Sequence, residues 1–483
     1  MKKLLLALFL LFILFVAYLF YNAINFKSVQ LEVDPVEASP IPVGAVDRFV
    51  EAISIRTISF EDEADFDSTQ FKKFNEFLEG YYPLIHSELQ HNIFSEFSHL
   101  YRWQGKDQNL KPIVLMAHID AVPIATPAAW SVHPFTAGLV NDTIYGRGAM
   151  DCKFGVLGIM ESVEQLLREG FAPNRDVYIS LGHDEEIGGK RGAVNIAQYL
   201  SDKGIEAQFV LDEGMAITQG MIPGIEGLTA IIGIAEKGYL SLELSVATEG
   251  GHSSTPSKET SIDVLSRAVS KVKENQCPRL FNPVLNSFMD KMGPEMGTKA
   301  KFVFANRGIF KNLILDEMEK SNTGNASIRT TTSPTIFEAG IKDNVIPTYA
   351  RAVINFRIIP GETIDDVIAH VNEVVNDERV KVEILNEAFN PSAVSPIDNS
   401  PYENIERSIK QIFPNIKSTP NLVVGATDSR HFKSVTKNIY RFSPYIVSPK
   451  NLTCFHGIDE RLPRTVFENG IRFYRQIILN GTD

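Results

Sequence analysis

The stretch "RDVYISLGHDEE" (residues 175–186) begins as an apolar run and ends with Asp184, Glu185 and Glu186 side by side. A second run, "PIVLMAHID" (112–120), is built the same way and closes on His118 and Asp120. Between them lies "CKFGVLGIMESVEQLLREG" (152–170), in which Phe154, Leu157, Met160, Val163 and Leu167 recur at helical spacing before Gly170 stops the pattern. Strand, helix, strand in that order predicts right-handed crossovers and a largely parallel sheet with helices on both faces, hence an α/β fold. "EAQFVLDEG" (206–214) supplies a third strand, ending near Asp212.

A different rhythm begins at "YLSLELSVA" (239–247), where Leu240, Leu242, Leu244 and Val246 alternate with polar residues, as a half-exposed strand requires. A helix near 260–274, two strands within 335–361, a helix near 363–377 and a strand at 380–385 follow. That succession, β-α-β-β-α-β, predicts a ferredoxin-like α+β unit, interrupted by an insertion over 275–334. The expected boundaries are a catalytic unit over 46–235, completed by 389–483, with the α+β unit inserted over 236–388.

Composition narrows the function. The chain has 483 residues, 44% of them hydrophobic, so it can bury a core larger than one typical domain holds. A formal charge of −12 disfavours nucleic acid as a partner. Three cysteines, none in a CxxC spacing, supply neither a disulfide framework nor a zinc knuckle. Residues 1–25 open with Lys2 and Lys3 and continue as an apolar run to about Phe20, which predicts a membrane-spanning signal anchor over a cleaved signal peptide, with the body on the non-cytoplasmic side. Residues 26–45, with several prolines, are expected to be a linker.

In open α/β sheets ligands bind beyond the carboxyl ends of the strands. Three predicted strands here end in His118 and Asp120, in Glu185 and Glu186, and in Asp212; Asp151 joins them from "YGRGAMDCK" and His456 from "CFHGIDER". Imidazole and carboxylate ligands suit zinc, and more are present than one ion needs. With Asp151 bridging, two ions fit, each with one histidine and one further carboxylate. Glu185 and Glu186, if extended, point opposite ways, so one can bind metal while the other faces water and substrate. There is no HExxH, no GxSxG, and "GRGAMD" places Asp151 where a dinucleotide fingerprint needs glycine.

Eight motifs in order, "MAHIDAVP", "YGRGAMDCK", "GHDEEIGG", "LDEG", "GGHSSTP", "NVIPTYARAVINFRIIPG", "GATDSRHF" and "HGIDER", resemble the zinc aminoacylase and carboxypeptidase family of co-catalytic metallohydrolases, in its carboxypeptidase S and N-fatty-acyl-amino-acid hydrolase branch. The resemblance implies that His118 and Asp212 hold one zinc, Glu186 and His456 the other, and that Asp151 bridges. It implies Asp120 as the residue orienting His118 and Glu185 as general base. It makes the α+β unit a lid and dimerisation domain, with His252 stabilising the oxyanion across the dimer. Asn344, Arg430 and, less directly, Arg357 match positions that recognise a substrate carboxylate. The implied reaction is cleavage of an amide bond in an N-acyl amino acid or a peptide with a free C-terminal carboxylate. A carboxypeptidase or dipeptidase restricted to peptides is the alternative within enzymes, and a catalytically silent, membrane-tethered metal- or partner-binding protein the alternative outside them.

Overall fold

The computed structural model describes residues 1–482 except Ala137 and Asn386, with the backbone alone of Glu63. Its main sheet has eight strands in the order Gln90–Phe94, Ser98–Trp103, Val177–Gly182, Ile113–His118, Phe209–Gln219, Ile439–Val447, Leu228–Glu236 and Lys417–Val423. Ile113–His118 runs parallel to both its neighbours, and Ile439–Val447 runs parallel to Phe209–Gln219. The strand Ile113–His118 is buried along its whole length because it is covered on both faces. Ile113, Leu115 and Ala117 face one apolar layer, Val114 and Met116 the other.

The first layer is built on the helices Lys153–Arg168 and Arg464–Thr482, which pack against each other. The predicted apolar stripe of Lys153–Arg168 proves too narrow: nearly the whole helix is buried, including Lys153 and Glu161. Its polar groups are therefore paired. Lys153 Nζ donates to the carbonyls of Ala52 (3.0 Å) and Ile55, while Arg48 donates to both oxygens of Glu161 at 2.6 and 2.7 Å.

The second sheet has four antiparallel strands in the order Thr331–Ala339, Tyr349–Ile358, Gly238–Ala247 and Val380–Ile384. The helices Ser261–Glu274 and Ile364–Val375 cover one face, each started by a threonine–aspartate capping box. This is the β-α-β-β-α-β succession expected, and four helices between Pro283 and Ile328 occupy the predicted insertion.

Residues 26–42 differ from a free linker. Gln30 donates to the Ser418 carbonyl at 2.9 Å and accepts from the Ser418 N–H at 2.9 Å, on the outermost strand of the main sheet. Further along, Val36 N–H meets Gln411 O, and Ser39 O and Pro40 O accept from Arg472 and Gln165. The prolines keep this segment extended, and an extended segment can satisfy the open edge of a sheet.

Candidate metal centre

The parallel strands deliver their carboxyl ends to one rim. His118 is the last residue of its strand and is 1% exposed. Its Nε2 lies 2.9 Å from Asp151 Oδ1, and its Nδ1 lies 3.2 Å from Asp120 Oδ1. His456 Nε2 lies 2.9 Å from the other oxygen, Asp151 Oδ2, and 3.5 Å from Glu186 Oε2. One carboxylate thus faces two imidazoles, one through each oxygen.

Asp120 does more than orient His118. It is fully buried, accepts from Ser59 Oγ at 2.6 Å, and receives the backbone N–H groups of Glu185 (3.3 Å) and Glu186 (3.1 Å). A single side chain therefore fixes the histidine and the turn that carries both glutamates. That turn is not extended: Glu185–Ile187 is one turn of 3-10 helix, closed by Gly188 at φ +103° and Gly189 at φ +69°. Glycine is required at 189, because a Cβ there would strike the Asp428 carboxylate. The expected alternation of Glu185 and Glu186 along a strand is replaced by this tighter geometry.

Asp151 is held from the opposite end of the chain. Glu460, fully buried, accepts from Arg147 Nη1 (2.6 Å) and from the N–H groups of Gly148, Met150 and Asp151. Glu460 lies inside the quoted "HGIDER", four residues after His456, so one short segment supplies an imidazole and the support for the carboxylate it meets.

Beside Asp212, the expected ligand, stands a second carboxylate, that of Glu213. Adjacent residues of a strand face opposite sides. Asp212 accepts the N–H of Ser429 at 2.8 Å and that of Glu213 at 2.9 Å. Glu213 turns inward, and its carboxylate groups with His118 and Cys152 within 4.8 Å. The carboxylate beside His118 is therefore that of Glu213. Cys152 is buried, and burial pushes its thiol well up, so it stands there as a neutral group.

The remaining expected residues lie elsewhere. His252 and Asn344 are exposed together at the tip of the second sheet, where Gly251–His252 pairs with Val345–Ile346 and Ser253 N–H meets Asn344 O. Among the described residues, no hydrogen bond or ion pair joins the side chain of either to the rim. His252 Nδ1 has Ser254 Oγ as its partner at 2.8 Å. Arg430 is beside the rim, donating to Thr427 O (2.7 Å) and to Gly188 O (2.9 Å). Arg357 is half-buried and lies 4.8 Å over the ring of Tyr239, which stacks on Phe389, over which Arg430 lies in turn at 5.1 Å. The two arginines thus cap one aromatic stack spanning the junction of the two sheets.

The electrostatics of the rim call for a cation. Burial, with Asp151 nearby, pushes Glu186 up to about 8. Burial and neighbouring carboxylates also hold Glu185 and Glu213 well above the ordinary range. Against its burial, the hydrogen bonds from His118 and His456 keep Asp151 below that range. Glu186 Oε1 is buried with no hydrogen-bond partner among the described residues. An orphaned carboxylate oxygen among crowded acids and two imidazoles fits a divalent ion, whose charge relieves the repulsion.

The description "Peptidase family M20/M25/M40" matches residues 114–480. The chain belongs to this family. It is accordingly a metallopeptidase-type amidohydrolase, and M20 enzymes are metal-dependent. Among its relatives is an N-fatty-acyl-amino acid synthase/hydrolase PM20D1 of Xenopus tropicalis, 41% identical over 90% of this chain and 85% of that protein. A probable carboxypeptidase S-like 2 of Dictyostelium discoideum is 40% identical over 96% and 91%. Carboxypeptidase S of Saccharomyces cerevisiae is 28% identical over 90% and 84%. The M20 fold itself is seen in a metallo-carboxypeptidase from Sulfolobus solfataricus, with a TM-score of 0.65 at 18% identity, covering 90% of this chain and 98% of that one.

The residues that sequence reasoning missed are Ser59, Glu213, Asp428 and Glu460. Three lie inside motifs already quoted. Ser59 has no local signal, because its contact with Asp120 spans 61 residues.

Proposed function

We propose that the chain is a two-zinc hydrolase that cleaves the amide bond of N-acyl amino acids carrying a free carboxylate. The observation that carries this reading is Asp151 facing two histidines, one through each carboxylate oxygen. His118 and Glu213 would hold one ion, Glu186 and His456 the other, and Asp151 would bridge. When bound, the ions supply Lewis acidity and lower the pKa of water at the site.

The chain's own residues do the rest. Glu185 sits in a half-buried turn whose backbone Asp120 fixes, and its carboxylate takes a proton from the attacking water and returns it to the leaving nitrogen. Carbon–nitrogen cleavage then releases an amino acid and a carboxylic acid. Arg430 supplies a guanidinium anchored to the same glycine turn, placed to pair with the substrate carboxylate as water is excluded. His252 and Asn344 are exposed, and their hydrogen bonds stay within their own turn and strand pair, which supports their acting across a dimer. The strand Thr331–Ala339 leaves Ile336 and Phe337 open at the edge of the same sheet, a surface suited to a second copy. The apolar helix Lys2–Asn25 supports anchoring of the body at the non-cytoplasmic face of a membrane.

The test offers the zinc-loaded protein phenylalanine and leucine capped either with a long fatty-acyl chain or with an N-terminal amino acid, and follows release by mass spectrometry. Faster release from the fatty-acyl series is expected, and Glu185→Gln should cost ~10²- to 10⁴-fold in kcat with zinc retained. Turnover of the peptides alone would replace the reading with a carboxypeptidase or dipeptidase. No turnover above the Glu185→Gln level, with zinc bound, would leave a silent binding protein.

A further inference from the structure

The helical insertion between the two central steps of the second sheet has a partner that the reaction does not explain. The last turns of Lys2–Asn25 pack against it: Phe20 and Phe302 have ring centroids 5.3 Å apart, Asn306 Nδ2 donates to Leu19 O at 3.1 Å, and Asn22 Nδ2 donates to Asn306 Oδ1 at 2.9 Å. Leu19 is the one residue of this helix buried by the contact, while the preceding turns stand clear of the body. Because residues 26–42 are bonded along the body, the direction of the apolar helix is fixed relative to the insertion.

That direction has a chemical marker. Tyr18, Phe20 and Tyr21 are exposed at the body-side end of the helix, where a spanning segment carries aromatic residues at the headgroup level. The insertion meets the helix at this same level. There it continues the apolar surface: Phe302 is followed by Phe310 at a centroid distance of 5.9 Å, and Ile309 and Leu313, on either side of a kink at Phe310, are 51% and 53% exposed. Lys299, Lys301 and Lys311 flank the patch and are in no ion pair among the described residues. The acids at the far end of the helix Arg307–Glu319 are answered: Arg279 pairs with Asp316 and Glu319, Lys320 with Glu317 and Arg329 with Glu319. What remains facing outward is apolar and basic, the composition of a segment that lies in a membrane interface.

We infer that residues 298–313 form a second membrane contact, with Phe302, Ile309, Phe310 and Leu313 seated at the headgroup–acyl boundary of an anionic phospholipid bilayer and the lysines facing its phosphates. The inference rests on the anchoring of residues 2–25 proposed above. Its consequence is a body held in one orientation on the membrane by two contacts, where a single spanning helix on a free linker would let it swing.

The experiment uses the full chain in vesicles of phosphatidylcholine with phosphatidylserine, with brominated lipids as quenchers. The native cysteines Cys152, Cys277 and Cys454 are buried, so a fluorophore can be attached singly to Ile309→Cys, Leu313→Cys, Leu11→Cys in the apolar helix, or Lys203→Cys on a remote exposed turn. The expected result is that the label loses more than half its emission at positions 309, 313 and 11 and keeps it at 203. Quenching at 11 without quenching at 309 and 313 would overturn the second contact and leave the anchor standing. A blue shift at 309 and 313 that brominated lipid does not quench would overturn it in favour of a covering protein, such as a second copy. Absence of quenching at position 11 and at both patch positions would overturn the anchor and the second contact together.

Discussion

His118 and His252 stand in opposite surroundings. His118 is buried at a strand end with both ring nitrogens engaged, one by Asp120 and one by Asp151, and Asp120 also holds the backbone of the neighbouring glutamates. His252 lies on a short exposed strand pair and meets a serine of its own turn. The first region is organised by the chain alone, through contacts between segments that are distant in sequence. The second, in the reading proposed above, is completed by another molecule. Preorganisation of the first kind concentrates the ionisable groups where charge must be managed.

The sharpest way to break this contrast is to remove the exposed histidine. His252→Ala should lower kcat by ~10²- to 10³-fold, the cost of losing an oxyanion donor, while zinc content and thermal stability stay at their original values. Mixing His252→Ala with Glu185→Gln should recover activity that neither has alone, since one mixed dimer site would then be complete. Recovery would be absent if His252 served its own chain.

The next test separates two neighbours on one strand. Glu213→Gln should weaken zinc by ~10²-fold or more and activity with it, as loss of a ligand does, whereas Asp212→Asn should keep zinc and instead cost about 1–3 kcal/mol of stability, because the Ser429 and Glu213 N–H groups lose a charged acceptor. Metal titration and urea unfolding of the two variants read these apart. Asp120→Asn comes third, at ~10- to 100-fold in metal affinity, through His118 and the glutamate turn together.

The last effect is on acid stability and leaves activity at neutral pH untouched. Burial lowers His91 to about 4 and His99 to about 3, well below the ~6.5 of an unfolded chain. As pH falls below ~6.5 the unfolded chain therefore binds protons that the folded one refuses, and stability is lost progressively toward those lower values. The urea midpoint should drop across this window, and His91→Phe with His99→Phe should flatten the drop. That measurement distinguishes an acid limb due to unfolding from one due to chemistry at the rim.

How far the sequence carries the reader depends on how local the cause is. The parallel strands were legible because each is a short apolar run before a histidine or carboxylate, although the strand expected to end near Asp212 runs on to Gln219, and the second sheet because Leu240, Leu242, Leu244 and Val246 declare a period of two. The choice between Asp212 and Glu213 was not legible. Alternation says that they face opposite sides, but not that the Glu213 carboxylate groups with His118 and Cys152 while Asp212 accepts the N–H of Ser429, 217 residues away. The turn at Glu185 is set by two left-handed glycines and the Asp428 carboxylate against which they pack, some 240 residues away in the chain. Residues 26–42 read as a linker because proline-rich segments usually are; the free edge at Ser418 gives this one a place to bind.

The central claim is that this rim is a two-metal centre closed by Glu213. Diffraction from zinc-loaded crystals at the zinc edge tests it most directly. Two anomalous peaks ~3.5–4 Å apart are expected, one beside His118 and Glu213, the other beside Glu186 and His456, with Asp151 between them. A single peak, or a peak coordinated by Asp212 with Glu213 turned away, would contradict it.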